Sequence, residues 1–134
     1  MIPDDLFYTN DHVWVRPEED YIEVGVTRPL IKKLEPLISV DLLEADDAMK
    51  MQVPFGVLEG HEETYYLYPP VEERIIEVND EVLWIDQKLM EDPYGEGWLI
   101  RVESPETPEL LHLMTSTAYA EFCAEDLGEE YVDD

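Results

Sequence analysis

Short stretches of alternating apolar and polar residues fill most of the chain. Val13-Trp14-Val15-Arg16 and Tyr21-Ile22-Glu23-Val24-Gly25-Val26 flank the polar break Pro17-Glu18-Glu19-Asp20, which predicts a hairpin. Leu6-Phe7-Tyr8 predicts a short opening strand, and Ile38-Ser39-Val40-Asp41-Leu42 another. Between Pro54 and Asn79 three apolar runs follow one another: Phe55, Val57 and Leu58, then Leu67, Tyr68 and Val71, then Ile75, Ile76 and Val78. They predict strand, turn, strand, turn, strand. The first turn is Gly60-His61-Glu62-Glu63, where glycine lets the chain reverse. Trp98-Leu99-Ile100-Arg101-Val102 predicts a last strand.

Two stretches change to a helical period. Leu30, Ile31 and Leu34 share one face after Thr27, a residue able to cap a helix. Pro29 suits the first turn and Pro36 the end. From Ser116 to Leu127 a stripe of Tyr119, Phe122, Cys123 and Leu127 predicts a C-terminal helix. Leu110 to Met114 predicts a helical turn, and the acidic end from Glu129 to Asp134 is expected to fray. The pattern is that of a mainly β chain forming a single domain over residues 1–134.

Composition narrows the functional classes. Eight Lys and Arg stand against 34 Asp and Glu, a formal net charge of −26. Phosphates repel such a surface, which argues against nucleic acid and anionic membranes as partners and is compatible with docking on basic surfaces. The same acidity also serves plain solubility. One cysteine, Cys123, excludes an intramolecular disulfide and a cysteine-based zinc site, and its place on an apolar stripe marks it as core. No start typical of a signal peptide and no apolar run of ~20 residues is present, so a cytoplasmic location is expected. No phosphate-binding glycine loop, nucleophile elbow or paired catalytic signature occurs, so no catalytic residue and no enzyme is expected. His61-Glu62-Glu63 does not predict a metal site, because adjacent turn residues rarely converge on one ion. His12 is read as part of local hydrogen bonding, and His112 belongs to no pattern.

Several strings carry a family resemblance: Tyr8-Thr9, His12, Trp14-Val15-Arg16, Gly25-Val26-Thr27, Phe55-Gly56-Val57, Glu59, Leu67-Tyr68, Pro70-Val71 and Glu77-Val78-Asn79. The most specific is Asp92-Pro93-Tyr94-Gly95-Glu96-Gly97-Trp98-Leu99-Ile100. Together they resemble the glycine cleavage system H-protein family within the lipoyl/biotinyl-carrier fold, from about Tyr8 to Val102 and more loosely through the last helix. The resemblance implies a barrel-sandwich hybrid with a short helix after the first hairpin and a C-terminal helix. In that family a lipoyl-lysine at the tip of the central hairpin is a swinging arm between a pyridoxal-phosphate decarboxylase, a folate-dependent enzyme and a flavoprotein. Its lysine falls on Glu62 here, and a carboxylate lacks the amine nucleophile that lipoate attachment requires. Lipoate is therefore not expected as a cofactor. Family glycines fall on Asp46, Gln52 and Glu73, so the loops at Asp46 and Gln52 are expected to differ from the family's.

The expectation is a non-catalytic relative of these carriers that acts by protein–protein docking, on glycine cleavage enzymes or another lipoate-dependent system. The docking candidates are Glu59, His61, Glu62, Glu63, Tyr65 and Tyr66, the two tyrosines standing where the family has small or polar residues. Alternation sends their rings to opposite faces, one for packing and one for a partner. The alternative is an aminomethyl carrier modified on another lysine; the lysines are Lys32, Lys33, Lys50 and Lys88, and Lys50 and Lys88 are the examples considered.

Overall fold

The computed structural model describes residues 2–84, 87–104 and 112–127. Its strands form two antiparallel sheets. The five-stranded sheet has the order β1 (Phe7–Tyr8), β2 (Val13–Pro17), β3 (Tyr21–Val26), β8 (Ile100–Glu103) and β7 (Ile75–Val78). The three-stranded sheet is β4 (Leu37–Leu42), β5 (Gly56–Gly60) and β6 (Thr64–Leu67). This is the expected mainly β, barrel-sandwich hybrid, with α1 (Arg28–Leu34) after the first hairpin and α4 (Ser116–Leu127) at the end.

The main core lies between the sheets. Val13, Val15, Val24 and Val26 from one sheet meet Leu58 and Leu67 from the other, with Leu30, Ile31 and Leu34 of α1 closing one side. Each fully buried aliphatic side chain of this kind is worth roughly 1.5–3 kcal/mol relative to exposure. A second cluster covers the outer face of the five-stranded sheet, where Trp14 and Tyr8 are buried with Tyr119 and Cys123 of α4. Trp14 fits because Gly25 is its cross-strand partner; any Cβ there would collide with the indole.

Thr27 is the residue before α1, as expected, but its hydroxyl does not cap the helix. Only its carbonyl joins the helix, accepting the N–H of Ile31 at 3.2 Å. The hydroxyl instead bonds the Tyr119 hydroxyl at 2.6 Å, since α4 offers a buried partner that the helix end does not need. The last strand begins at Ile100, later than expected, because the Trp98 N–H is committed to the Gly95 carbonyl in the preceding turn.

Two short helices escape the pattern, α2 (Asp80–Trp84) and α3 (Gln87–Glu91). Asn79 Oδ1 accepts the Glu81 N–H at 3.3 Å, and Asp80 and Glu81 sit in the first turn, where the helix dipole favours acids. Of the turn expected at Leu110–Met114, residues 110 and 111 lie outside the described residues. Met114 is not helical and pairs antiparallel with Tyr8. The acidic end from Glu129 also lies outside the described residues.

Asp46 and Gln52 stand in the two loops where the resemblance puts glycines. Both take the left-handed backbone that glycine adopts freely, with φ of 76° and 71°. Asp46 is held there by its N–H, which donates to the Ile75 carbonyl at 2.8 Å.

Candidate functional site

The hairpin β5–β6 projects the candidate residues. Its turn closes with the Gly60 N–H donating to the Glu63 carbonyl at 2.8 Å. Gly60 is needed for a packing reason: its α-carbon lies so close to the Leu34 carbonyl at the end of α1 that a side chain would collide with it. The tip is thereby pressed against α1, while His61, Glu62 and Glu63 stay exposed. Lys33, in the last turn of α1, sits 3.9 Å from the Glu63 carboxylate and 5.8 Å from the Tyr65 ring centroid. With the Lys33 and Glu63 side chains 38% and 46% exposed, solvent screens that pair and it contributes little to stability.

Cross-strand register decides the fate of the two tyrosines. Tyr65 pairs with Leu58, whose side chain is in the core, so the Tyr65 ring packs inward. Burial, followed by the nearby Asp11, Asp126 and Glu63 charges, pushes its hydroxyl well above the ordinary tyrosine value. Tyr66 pairs with Val57 on the other face and is 52% exposed. Glu59 is exposed on that same outer face, and one of its carboxylate oxygens accepts the Ser39 hydroxyl at 3.0 Å. The hairpin thus gathers Glu59, His61, Glu62, Glu63 and Tyr66 at the surface and turns Tyr65 away. Glu59 and Tyr66 face solvent from the sheet, and His61, Glu62 and Glu63 from the turn. A cavity of about 820 Å³ is lined instead by residues such as Tyr8, Asp11, Tyr68 and His112.

Behind Tyr65 lies a buried polar cluster that joins α4 to the body. His12, fully buried and at φ 65°, has Nε2 2.7 Å from Asp126 Oδ2 and Nδ1 2.6 Å from the Tyr119 hydroxyl. A neutral imidazole satisfies this arrangement: Nε2–H donates to Asp126, the Tyr119 hydroxyl donates to Nδ1, and the Thr27 hydroxyl donates to Tyr119. Burial lowers the His12 pKa from its ordinary value despite the neighbouring Asp126. Tyr119 and Cys123 are raised by the same burial, which keeps the thiol unreactive. His12 is a hydrogen-bonding residue, as expected, but its side-chain bonds are not local: the partners come from 107 and 114 positions away, because α4 packs over it.

The chemistry of the tip follows from its atoms. Glycine, an imidazole and two carboxylates offer no amine for an amide-linked cofactor, so the residues at the turn do not fit lipoate. Lys33 is the amine that approaches the tip. Lys50 lies in the link that enters β5 at its opposite end, and Lys88 is paired with Glu81 at 2.8 Å and Glu96 at 3.5 Å. Among the described residues, no group of three or more His, Cys, Asp or Glu side chains is placed to hold a metal ion. None of the described helices is long and apolar enough to cross a membrane.

The sequence profile described as "Glycine cleavage H-protein" matches residues 6–126. The chain belongs to the glycine cleavage H-protein family. A glycine cleavage system H protein from Rubrobacter xylanophilus is 41% identical over 110 residues, covering 82% of this chain and 87% of that one. One from Anaeromyxobacter sp. (strain K) is 36% identical over 124 residues, covering 92% and 97%. The crystal structure of a glycine cleavage system H protein from Mycobacterium marinum superposes with a TM-score of 0.81 at 29% identity, covering 96% of this chain and all of that one.

The residues that sequence reasoning did not select are Lys33, Ser39 and Asp126. Each meets the site through sheet register or helix packing, and no local pattern marks them. The nearest signal was Lys33 in the last turn of a helix that ends just before β4.

Proposed function

We propose that this H-protein-family chain is a non-catalytic member that works without a lipoyl-lysine, by docking on protein partners of glycine cleavage or of another lipoate-dependent system. One observation carries the reading: the exposed hairpin tip holds Gly60, His61, Glu62 and Glu63 and no lysine, and the resemblance puts the family's lysine at Glu62. A molecule without an arm moves no aminomethyl group, so its contribution to such a system is shape and surface. It would then compete with a lipoylated carrier for a shared partner or hold that partner in place.

Intact-mass measurement of the protein purified from a lipoylating host tests this. The expected mass is that of the unmodified chain. A lipoyl adduct would overturn the reading, and peptide mapping would assign it to Lys33, Lys50 or Lys88, the carrier alternative. A binding measurement against a glycine decarboxylase from the same organism addresses the partner: saturable binding supports that assignment, and its absence points to another lipoate-dependent system.

A further inference from the structure

The outer face of the three-stranded sheet is exposed, and its composition is unlike that of a purely solvating surface. Register places Asp41, Val57 and Tyr66 side by side across the three strands, with Glu59 in the next row. Ile38, in the bulge where the β4–β5 register shifts, is 56% exposed, and Tyr66 is 52% exposed. Apolar side chains flanked by carboxylates on a sheet surface match the anatomy of an interface, an apolar centre inside a polar rim. An aromatic ring at such a centre is the residue type that most often dominates binding.

Resting on the docking reading above, we propose that this face binds a partner protein through arginine side chains that lie flat on Tyr66 and pair with Asp41 and Glu59. Charge selects the occupant. No lysine or arginine occurs in β4, β5, β6 or the turn between the last two, and the whole chain carries −26. A second copy, a nucleic acid or another acidic surface is repelled. Between the two basic side chains, the guanidinium has what this face rewards. It stacks on a tyrosine ring, sheds water more readily than an ammonium and meets a carboxylate through two parallel hydrogen bonds. The Ser39 hydroxyl bond holds the Glu59 carboxylate in place beforehand, which reduces the ordering that binding requires.

The test uses hexa-arginine and hexa-lysine peptides with the full chain at physiological salt, followed by backbone amide shifts. The expected result is a set of shifts centred on Val57, Glu59 and Tyr66, with the arginine peptide binding about threefold tighter than the lysine peptide. Tyr66→Ala removes that preference, and the double variant Asp41→Asn/Glu59→Gln weakens both peptides while leaving the fold intact by circular dichroism. Equal affinities for the two peptides, shifts spread evenly over the acidic surface, or an arginine preference that survives Tyr66→Ala would overturn the proposal. The outcome is separable from the function above. A lipoyl adduct would end the arm-free reading and leave these peptide data standing, whereas undirected peptide binding would end this proposal alone.

Discussion

Two turns of this protein, one carrying the most specific string of the family resemblance and one carrying none of the matching residues, are built in opposite ways. In the turn from Asp92 to Trp98 nearly every polar group is used internally. The Asp92 carbonyl accepts the N–H groups of Gly95 and Gly97 at 3.2 and 2.8 Å, and its carboxylate accepts that of Glu96 at 2.9 Å. Asn79 reaches across to donate to the Glu96 and Trp98 carbonyls at 2.9 and 2.7 Å, and the Trp14 indole N–H donates to the Pro93 carbonyl at 3.0 Å. The Tyr94 hydroxyl, its pKa pushed up to about 12 by burial, accepts the Arg28 N–H at 2.9 Å. In the turn from Gly60 to Glu63 one backbone hydrogen bond closes the loop and three side chains face water. The first turn is scaffold and the second is surface. One turn is thus fixed by bonds inside the fold, while the other leaves its side chains free to meet a partner.

The comparison makes graded predictions. Removing Trp14 should have the largest effect, because it fills the cluster beneath α4 and holds the scaffold turn: Trp14→Ala is expected to cost about 3–5 kcal/mol in urea unfolding. Asn79→Ala leaves two carbonyls without their donor, with an expected cost of about 1–3 kcal/mol by the same measurement. A loss below the error of the method in either variant would contradict the description of that turn as scaffold.

His12 gives a pH-dependent effect that belongs to the same buried side of the molecule. Its folded-state pKa is depressed, so the unfolded chain takes up the proton first as pH falls. Its contribution is full above the ordinary value of 6.5 and is lost as pH falls from there toward the lower folded value. The Asp11 carboxyl, raised mainly by burial, acts in the opposite sense, losing stability as pH rises from its ordinary value of 3.8 through the folded one. Unfolding free energies of the wild type and His12→Gln across pH 5 to 8, roughly the interval in which a histidine titrates, should show a slope that the variant lacks. Parallel curves would show that His12 is not the group responsible.

At the surface the effects shrink or change sign. Asp46→Gly and Gln52→Gly relieve left-handed strain, and each is expected to stabilise by about 1 kcal/mol after the entropy of the added glycine is counted. Glu62→Gln should change stability by no more than about 0.5 kcal/mol, as suits a solvated tip, and a larger loss would mean that the tip is part of the scaffold after all.

Much of the fold was legible in the pattern. The first hairpin, α1 with Pro29 in its opening turn, the first and third central strands and α4 all lie within a residue or two of where alternation and helical period put them, whereas the second central strand, β6, meets the expected apolar run only at Leu67. The misses have local causes. Asn79-Asp80-Glu81 is a helix start that an apolar run obscured, and the last strand lost Trp98 to the preceding turn, whose Gly95 carbonyl takes its N–H. The Thr27 hydroxyl bonds Tyr119, 92 positions away, rather than the start of α1, where Pro29 has no N–H to offer it.

The sequence alone determined the composition of the tip: a carboxylate has no nitrogen to offer, whatever the chain does around it. Alternation alone also required that Tyr65 and Tyr66 face opposite ways. Which ring went outward was decided by the pairing of β5 with β6, because a period of two separates the faces of a strand without saying which of them meets the core. Tertiary packing likewise brought Lys33 to Glu63 and Asp126 to His12. Those contacts depend on how α1 and α4 sit on the sheets, and the burial that favours that seating is summed over many side chains rather than written in the residues that meet.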